Sequence, residues 1–291
     1  MQLRIASPIA VLLLSWVSAL GQTWNHDPSS PIGPSFWGSV ASQDATCGTT
    51  ATGNLATAGR RRYGVDVPET AAAGTFVPVG AKQSPINIQD SAALLAIMPP
   101  ISFYYYDTPM EVENTGHVVE VPYGPGSYVQ IGQDLTDVYT LAQFHFHVPS
   151  EHTIDGQRFD GELHLVHTNH LGETLVVGVL LSASDSAQSG VFDDISTNAP
   201  LTVTTNTLSG TVNAENLLPQ SQLFYTYTGS LTTPPCSEGV RWIVMTTPVT
   251  VTSTFIEQLH HVTGDFPGYN GYENNNRPTQ PLNARTVIAA Q

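Results

Sequence analysis

The chain has 291 residues, 41% apolar and 11% charged, which suits one large domain with a substantial core and argues against a disordered chain. Its formal net charge is −15, with a single lysine, Lys82, and eight arginines. Apart from Arg60–Arg62 no basic cluster could hold phosphates, so nucleic acid is not an expected partner.

Residues 1–21 read as an export signal. Arg4 gives the positive start, "IASPIAVLLLSWVSAL" the apolar run, and the stretch from Ala19 to Gly21 the small residues of a cleavage site. The expected location is therefore secreted and extracellular. No other run is long enough to span a bilayer, and the C-terminal "NARTVIAAQ" offers no hydrophobic tail for a lipid anchor. Export permits disulfides, and the two cysteines, Cys47 and Cys236, most simply form one bridge. Closing so long a loop contributes roughly 4–5 kcal/mol on chain-entropy grounds. No N-x-S/T sequon is present.

Residues 22–46 are rich in Pro, Ser and Gly, with Trp24, Phe36 and Trp37 as expected anchors. Residues 48–81 are small and poorly periodic and read as loop, with "RRRY" as a solvated basic turn or a processing site. From residue 84 the pattern turns strand-like. "ISFYYYD", "HVVEVPY", "SYVQI", "YTLAQFHFHV", "ELHLVHT", "TLVVGVLLS", "LFYTYTGSL" and "VRWIVMT" are β-branched or aromatic runs separated by turn residues. "TFIEQLHHV" predicts a helix. Thr254 and Glu257 read as its capping box, with Phe255, Ile256, Leu259 and Val262 on its apolar face. The predicted class is mostly β, a single domain with a few short helices and no internal repeat.

One segment stands out chemically: "QFHFHVPSEH", residues 143–152. Residues two apart on a strand share a face. His145 and His147 therefore point together, with Gln143, while Phe144, Phe146 and Val148 face apolar packing. In "ELHLVH", Glu162, His164 and Val166 share one face and Leu163, Leu165 and His167 the other. If the two strands are antiparallel neighbours, His164 completes a three-imidazole set. Three neutral nitrogens leave a divalent ion fully charged with a fourth position free, which suits catalysis better than structure. Periodicity alone leaves hydrogen-bonded core histidines as an alternative.

The ordered motifs go further. "QSPINI" (83–88), "NTGH" (114–117), "QFHFHVPSEH" (143–152), "ELHLVH" (162–167), "GSLTTPPCSEGVRW" (229–242) and "NNRPTQPLNAR" (275–285) resemble the α-class carbonic anhydrases, over about residues 37–285. The resemblance implies a large twisted, mainly antiparallel sheet with the active site in a conical cleft, built by a core at 83–291 on which 22–82 packs as an extension. It implies Zn2+ on His145, His147 and His164, with Gln143 and Glu162 accepting hydrogen bonds from His145 and His164. It implies reversible hydration of carbon dioxide to bicarbonate and a proton by a zinc-bound hydroxide, with esterase side activity. Thr232 matches the gatekeeper that donates to Glu151, Thr233 a bicarbonate contact, and His117 the proton shuttle. Val166, Val176, Leu231, Val240 and Trp242 match the apolar wall for CO2. Sulfonamides and anions are implied inhibitors; the oligomeric state is not indicated. Cys47 and Cys236 match the disulfide of secreted members, and Ser84-Pro85 and Pro234-Pro235 match cis bonds.

Departures from the family pattern are Ser39 after Trp37-Gly38, Thr115 and Glu120. The resemblance implies that these residues line the solvent network feeding His117. His152 and His167 match structural positions. His26, His170, His260 and His261 read as surface residues. Two rival readings are a non-catalytic module of the same fold and a general zinc hydrolase. All three ligand histidines are present, against the first, and Glu151 is engaged by Thr232, against the second.

Overall fold

The computed structural model describes residues 24–40, 47, 80–133 and 137–290. The expected export signal, Arg60–Arg62 and most of the 48–81 loop lie outside the described residues.

The strands that matter here are β1 (Leu94–Ala96), β2 (Thr108–Asn114), β3 (Val119–Pro122), β4 (Val138–His147), β5 (Gly161–Thr168), β6 (Thr174–Ser184), β7 (Thr204–Val212), β8 (Phe224–Ser230), β9 (Glu238–Met245) and β10 (Ile288–Ala290). They form one mixed sheet in the order β7-β2-β3-β4-β5-β6-β9-β8-β10-β1. Most neighbours are antiparallel; β6 runs parallel to β9, and β10 parallel to β1. Among the described residues, helices α1 (Val191–Thr197) and α2 (Ser253–Gly264) and a single helical turn at Trp37–Val40 accompany the sheet in one domain.

The central strands are buried on both faces, which explains the unbroken apolar run "TLVVGVLL" of β6. Leu175, Val177, Val179 and Leu181 enter one core with Phe144, Phe146, Leu163 and Leu165. Val176 and Leu180 enter a second core on the other face, with Val240, Trp242 and Val244. Helix α2 closes the first core with Phe255, Ile256, Leu259 and Val262. Its cap is not the expected Thr254–Glu257 box: Thr252 is the N-cap, and its side chain accepts from Phe255 N at 3.0 Å. The helix begins two residues earlier because Thr252 ends a strand in extended geometry, as an N-cap requires.

The β7 strand, "TTNTLSGTV", is an edge strand exposed along most of its length, so it carries no hydrophobic alternation for sequence reading to find. Helix α1 was equally silent, since seven residues are too few to show a helical period. Of the expected anchors near the N-terminus, Trp37 is fully buried and Trp24 partly, but Phe36 is 46% exposed. Among the described residues no helix is long and apolar enough to cross a membrane. Cys47 and Cys236 are disulfide-bonded. Ser84-Pro85 and Pro234-Pro235 are cis as expected, and Val148-Pro149 is a third.

Candidate metal centre and its cleft

Strand register brings the histidines together. His164 on β5 sits directly opposite His145 on β4, and Glu162 opposite His147. The rings of His145 and His147 lie 5.1 Å apart by centroid, His145 and His164 5.3 Å, and His147 and His164 4.7 Å. One nitrogen from each falls in a group whose donor atoms are all within 4.8 Å of one another. Burial lowers the pKa of His145 and His164 and brings that of His147 to about 4, so all three are neutral and offer lone pairs.

The other nitrogen of each ring is committed, which sets its tautomer. His145 Nδ1 donates to Gln143 Oε1 at 2.8 Å, and His164 Nε2 to Glu162 Oε1 at 2.9 Å. His147 Nδ1 donates to the Asn275 carbonyl at 2.8 Å. Asn275 is a partner that sequence reading missed. Its side chain also bridges Val148 N, the Phe146 carbonyl and the His117 carbonyl.

Glu162 is the most heavily engaged of these acceptors. It receives the Glu151 and His152 backbone N–H groups at 2.8 and 2.7 Å and the His152 ring at 2.7 Å, besides His164. Burial alone would raise its pKa, but His152 and His164 hold the carboxyl well below the usual range. Because His152 Nδ1 donates to Glu162, its Nε2 accepts from Tyr227 O–H at 2.7 Å. Tyr227 in turn meets Ser84 Oγ at 2.8 Å, and Ser84 is locked to Ser230 by two bonds of 2.9 and 3.0 Å. This chain ties the histidine floor to the loop that carries Leu231, Thr232 and Thr233.

Thr232 is buried, while Thr233 is partly buried. Burial raises the Glu151 pKa to about 7, against the downward pull of His164 and then of the Thr232 hydroxyl. No hydrogen bond of ordinary geometry reaches Glu151 Oε2, whereas Oε1 accepts from Arg277 N at 2.7 Å. Arg277 is a second residue missed in the sequence. It is fully buried against Trp37 and donates to Gln83, the Ser84 carbonyl and the Cys47 carbonyl. It thereby joins the disulfide to the Glu151 support.

Val176, Val240 and Trp242 are buried in one apolar cluster, and Val166 and Leu231 pack against it partly exposed. His117 is partly buried and lies flat on Trp24. Desolvation pushes its pKa down to about 3. Thr115 folds the turn before it, accepting from Val118 N at 3.1 Å. Glu120 stands opposite His145 in the sheet, its pKa raised to about 7 by burial and then by Glu113.

His26 corrects the sequence reading: it is fully buried, with its ring 6.2 Å from that of His147 and its Nδ1 on the Tyr269 hydroxyl. The N-terminal segment therefore reaches the cleft through Trp24 and His26, while Ser39 belongs to the short helix Trp37–Val40. His170 and His261 are exposed as expected, and His260 is partly buried. His152 and His167 are buried.

Three convergent imidazoles with no thiolate among them make this a site of the metalloenzyme type rather than the structural type. A family model described as eukaryotic-type carbonic anhydrase matches residues 76–291. A carbonic anhydrase of Neisseria gonorrhoeae is 39% identical over 212 residues, covering 72% of this chain and 77% of that protein. A carbonic anhydrase of Nostoc is 36% identical over 272 residues, covering 90% and 94%. The solved structure of the α-carbonic anhydrase of Thermovibrio ammonificans with the inhibitor sulfanilamide superposes with a TM-score of 0.73 at 33% identity, covering 92% of this chain and 99% of that one.

The chain belongs to the carbonic anhydrase family. Members of this family are lyases that hydrate carbon dioxide and in general depend on zinc.

Proposed function

We propose that this protein is a secreted zinc carbonic anhydrase whose metal is held by His145, His147 and His164. The observation that carries the reading is the convergence of three neutral imidazoles whose outer nitrogens are each tied to an acceptor. The donor set fits zinc: nitrogen only, with His147 Nε2 buried and without a partner. A bound zinc ion acidifies water and so supplies a nucleophile near neutral pH, an effect for which carbonic anhydrases are the reference case.

The chain's own residues supply the rest. Gln143, Asn275 and Glu162 hold the ligand rings in the metal-binding tautomer. Thr232, by donating toward the Glu151 carboxylate, is left able only to accept from the nucleophile, which aims it. Thr233 holds bicarbonate. Val166, Val176, Leu231, Val240 and Trp242 form the wall against which apolar carbon dioxide rests. His117 takes the proton outward. A ring with a pKa of about 3 accepts protons poorly, so the relay requires His117 to leave its stacked position on Trp24.

Residues 83–291 are the catalytic core, 22–82 an extension packed on it, and 1–21 the export signal. Activated esters are expected side substrates, and sulfonamides, one of which is found in complex with the Thermovibrio relative, are expected to bind at the three histidines. The test is stopped-flow hydration of carbon dioxide on the mature protein, with metal analysis. Chelation and His164→Ala should each abolish turnover, and zinc should restore only the chelated wild type. Full turnover in metal-free protein would refute the reading.

A further inference from the structure

Helix α2 buries Phe255, Ile256, Leu259 and Val262 in the core and carries a group of ligand-type side chains elsewhere on its surface. Glu257, His260 and His261 stand at i, i+3 and i+4, a spacing that sets side chains beside one another on one helix face, about 5–6 Å apart at Cβ. Glu257 and His261 are exposed, and His260 is partly buried. Gly264 continues this face toward the end of the helix and has no side chain to fill it. Glu273 lies there instead: a Cβ on Gly264 would come within 3.1 Å of Glu273 Cγ and 3.9 Å of its Oε1. Glu257, His260, His261 and Glu273 all line one open hollow of about 510 Å3, and no residue of the three-histidine site lines it. Among the described residues around it there is no lysine or arginine, so its charge favours a cation.

The protonation of one ring is fixed by its partner. His260 Nδ1 is 2.7 Å from the Glu273 carbonyl oxygen. A carbonyl only accepts, so Nδ1 holds the proton and the neutral ring keeps its lone pair on Nε2. Histidines that bind metals almost always commit their other nitrogen in this way. Glu257 and His260 also have the Glu-x-x-His spacing by which a single helix offers a carboxylate and an imidazole to one ion.

We propose that Glu257, His260, His261 and Glu273 form a peripheral site for one borderline divalent cation such as Cu2+, Ni2+ or Zn2+. Two imidazoles with carboxylate oxygens suit these ions. The exposed Glu257 and His261 side chains turn into the hollow to close the coordination shell. The ion ties α2 to the stretch 271–275, in which the Asn275 carbonyl steadies His147. It is a clamp on the fold, not a second active centre.

The test is titration of the zinc-saturated protein with Cu2+, with calorimetry counting the bound copper, metal analysis confirming that zinc is retained, and electron paramagnetic resonance reading the copper ligands. Wild type should bind one more copper ion per chain than His260→Ala/His261→Ala. Its spectrum should show two imidazole nitrogens, falling to one in His261→Ala. Glu257→Gln and His261→Ala should each weaken binding by at least the roughly 10–100-fold that loss of even an outer partner of a ligand costs. None of these substitutions touches the three-histidine centre, so the difference is read whether or not that centre holds zinc, and the two readings fail separately. Equal copper binding by wild type and the double variant overturns the proposal, as does a spectrum that changes in His170→Ala and not in His261→Ala. If circular dichroism shows the double variant unfolded, His261→Ala alone, at an exposed position, decides: unchanged affinity overturns the proposal.

Discussion

Trp24 lies flat against His117, with ring centroids 3.6 Å apart and planes 4° from parallel. Tyr269 faces the same imidazole at 6.3 Å, and His26 couples to it electrostatically. The histidine proposed above as the proton relay is thus held in an aromatic slot.

Removing the slot should release it. In the wild type, the His117 ring should titrate near 3 by NMR while stacked. Trp24→Ala should move that value toward the ordinary 6.5 and make turnover at saturating carbon dioxide less dependent on added imidazole buffer. An unchanged titration in Trp24→Ala would show that the stack does not set the pKa.

Gly178 is the quiet partner of the three-histidine site. It pairs with His164 across the sheet, and a Cβ there would come within 2.9 Å of Glu162 Oε1, the atom that accepts from His164. Gly178→Ala should therefore tilt the His164 ring and weaken zinc binding by about 10–100-fold while the protein stays folded. Competition against a chromophoric chelator measures this. Wild-type affinity would mean that Glu162 yields without cost.

His167 gives a signed pH dependence. It is fully buried against the Tyr105 hydroxyl, and desolvation lowers its pKa to about 3. The unfolded side chain titrates near 6.5. Between those values the unfolded chain binds the proton and the folded chain does not, so stability falls as pH drops from about 6.5 to about 3. At about 1.4 kcal/mol per unit, His167 alone removes up to about 5 kcal/mol by pH 3. Urea unfolding across this range should show a slope shallower by about one proton in His167→Phe. Parallel slopes would remove His167 from the acid response.

The disulfide spans 189 residues of sequence. Cys236 N donates to the Thr233 carbonyl at 2.8 Å, and the Cys47 carbonyl receives Arg277, so the bridge braces both the Thr232 loop and the support of Glu151. Cys47→Ser/Cys236→Ser should lose about 5 kcal/mol of stability on chain-entropy grounds, read from the urea midpoint. A loss below about 1 kcal/mol would show that packing holds the loop unaided.

That His145, His147 and His164 come together could be read from the chain because strand alternation is local. "HFH" puts two imidazoles on one face, and the phase of "ELHLVH" supplies a third with Glu162 beside it. His26 could not be read this way. It sits in a Pro- and Ser-rich segment with no periodicity, and its burial comes from Trp24, Trp37 and Tyr269, the last of them 243 residues away. Asn275 acts on His147 through its backbone carbonyl, an atom every residue has, so no side-chain signal marks it. The capping of α2 shifted by two residues because several threonines compete there and only the strand end chooses Thr252.

Local order along the chain determined which side chains face inward together and which chemistry they can perform, since a strand repeats every two residues whatever surrounds it. Only the folded structure decided which strands lie side by side, which distant carbonyl steadies a ligand ring, and which histidines lose their water. Several of those outcomes depend on distant segments, as where His147 meets Asn275 128 residues on and His26 meets Tyr269 243 residues on, because register and desolvation are set by the packing of the whole sheet.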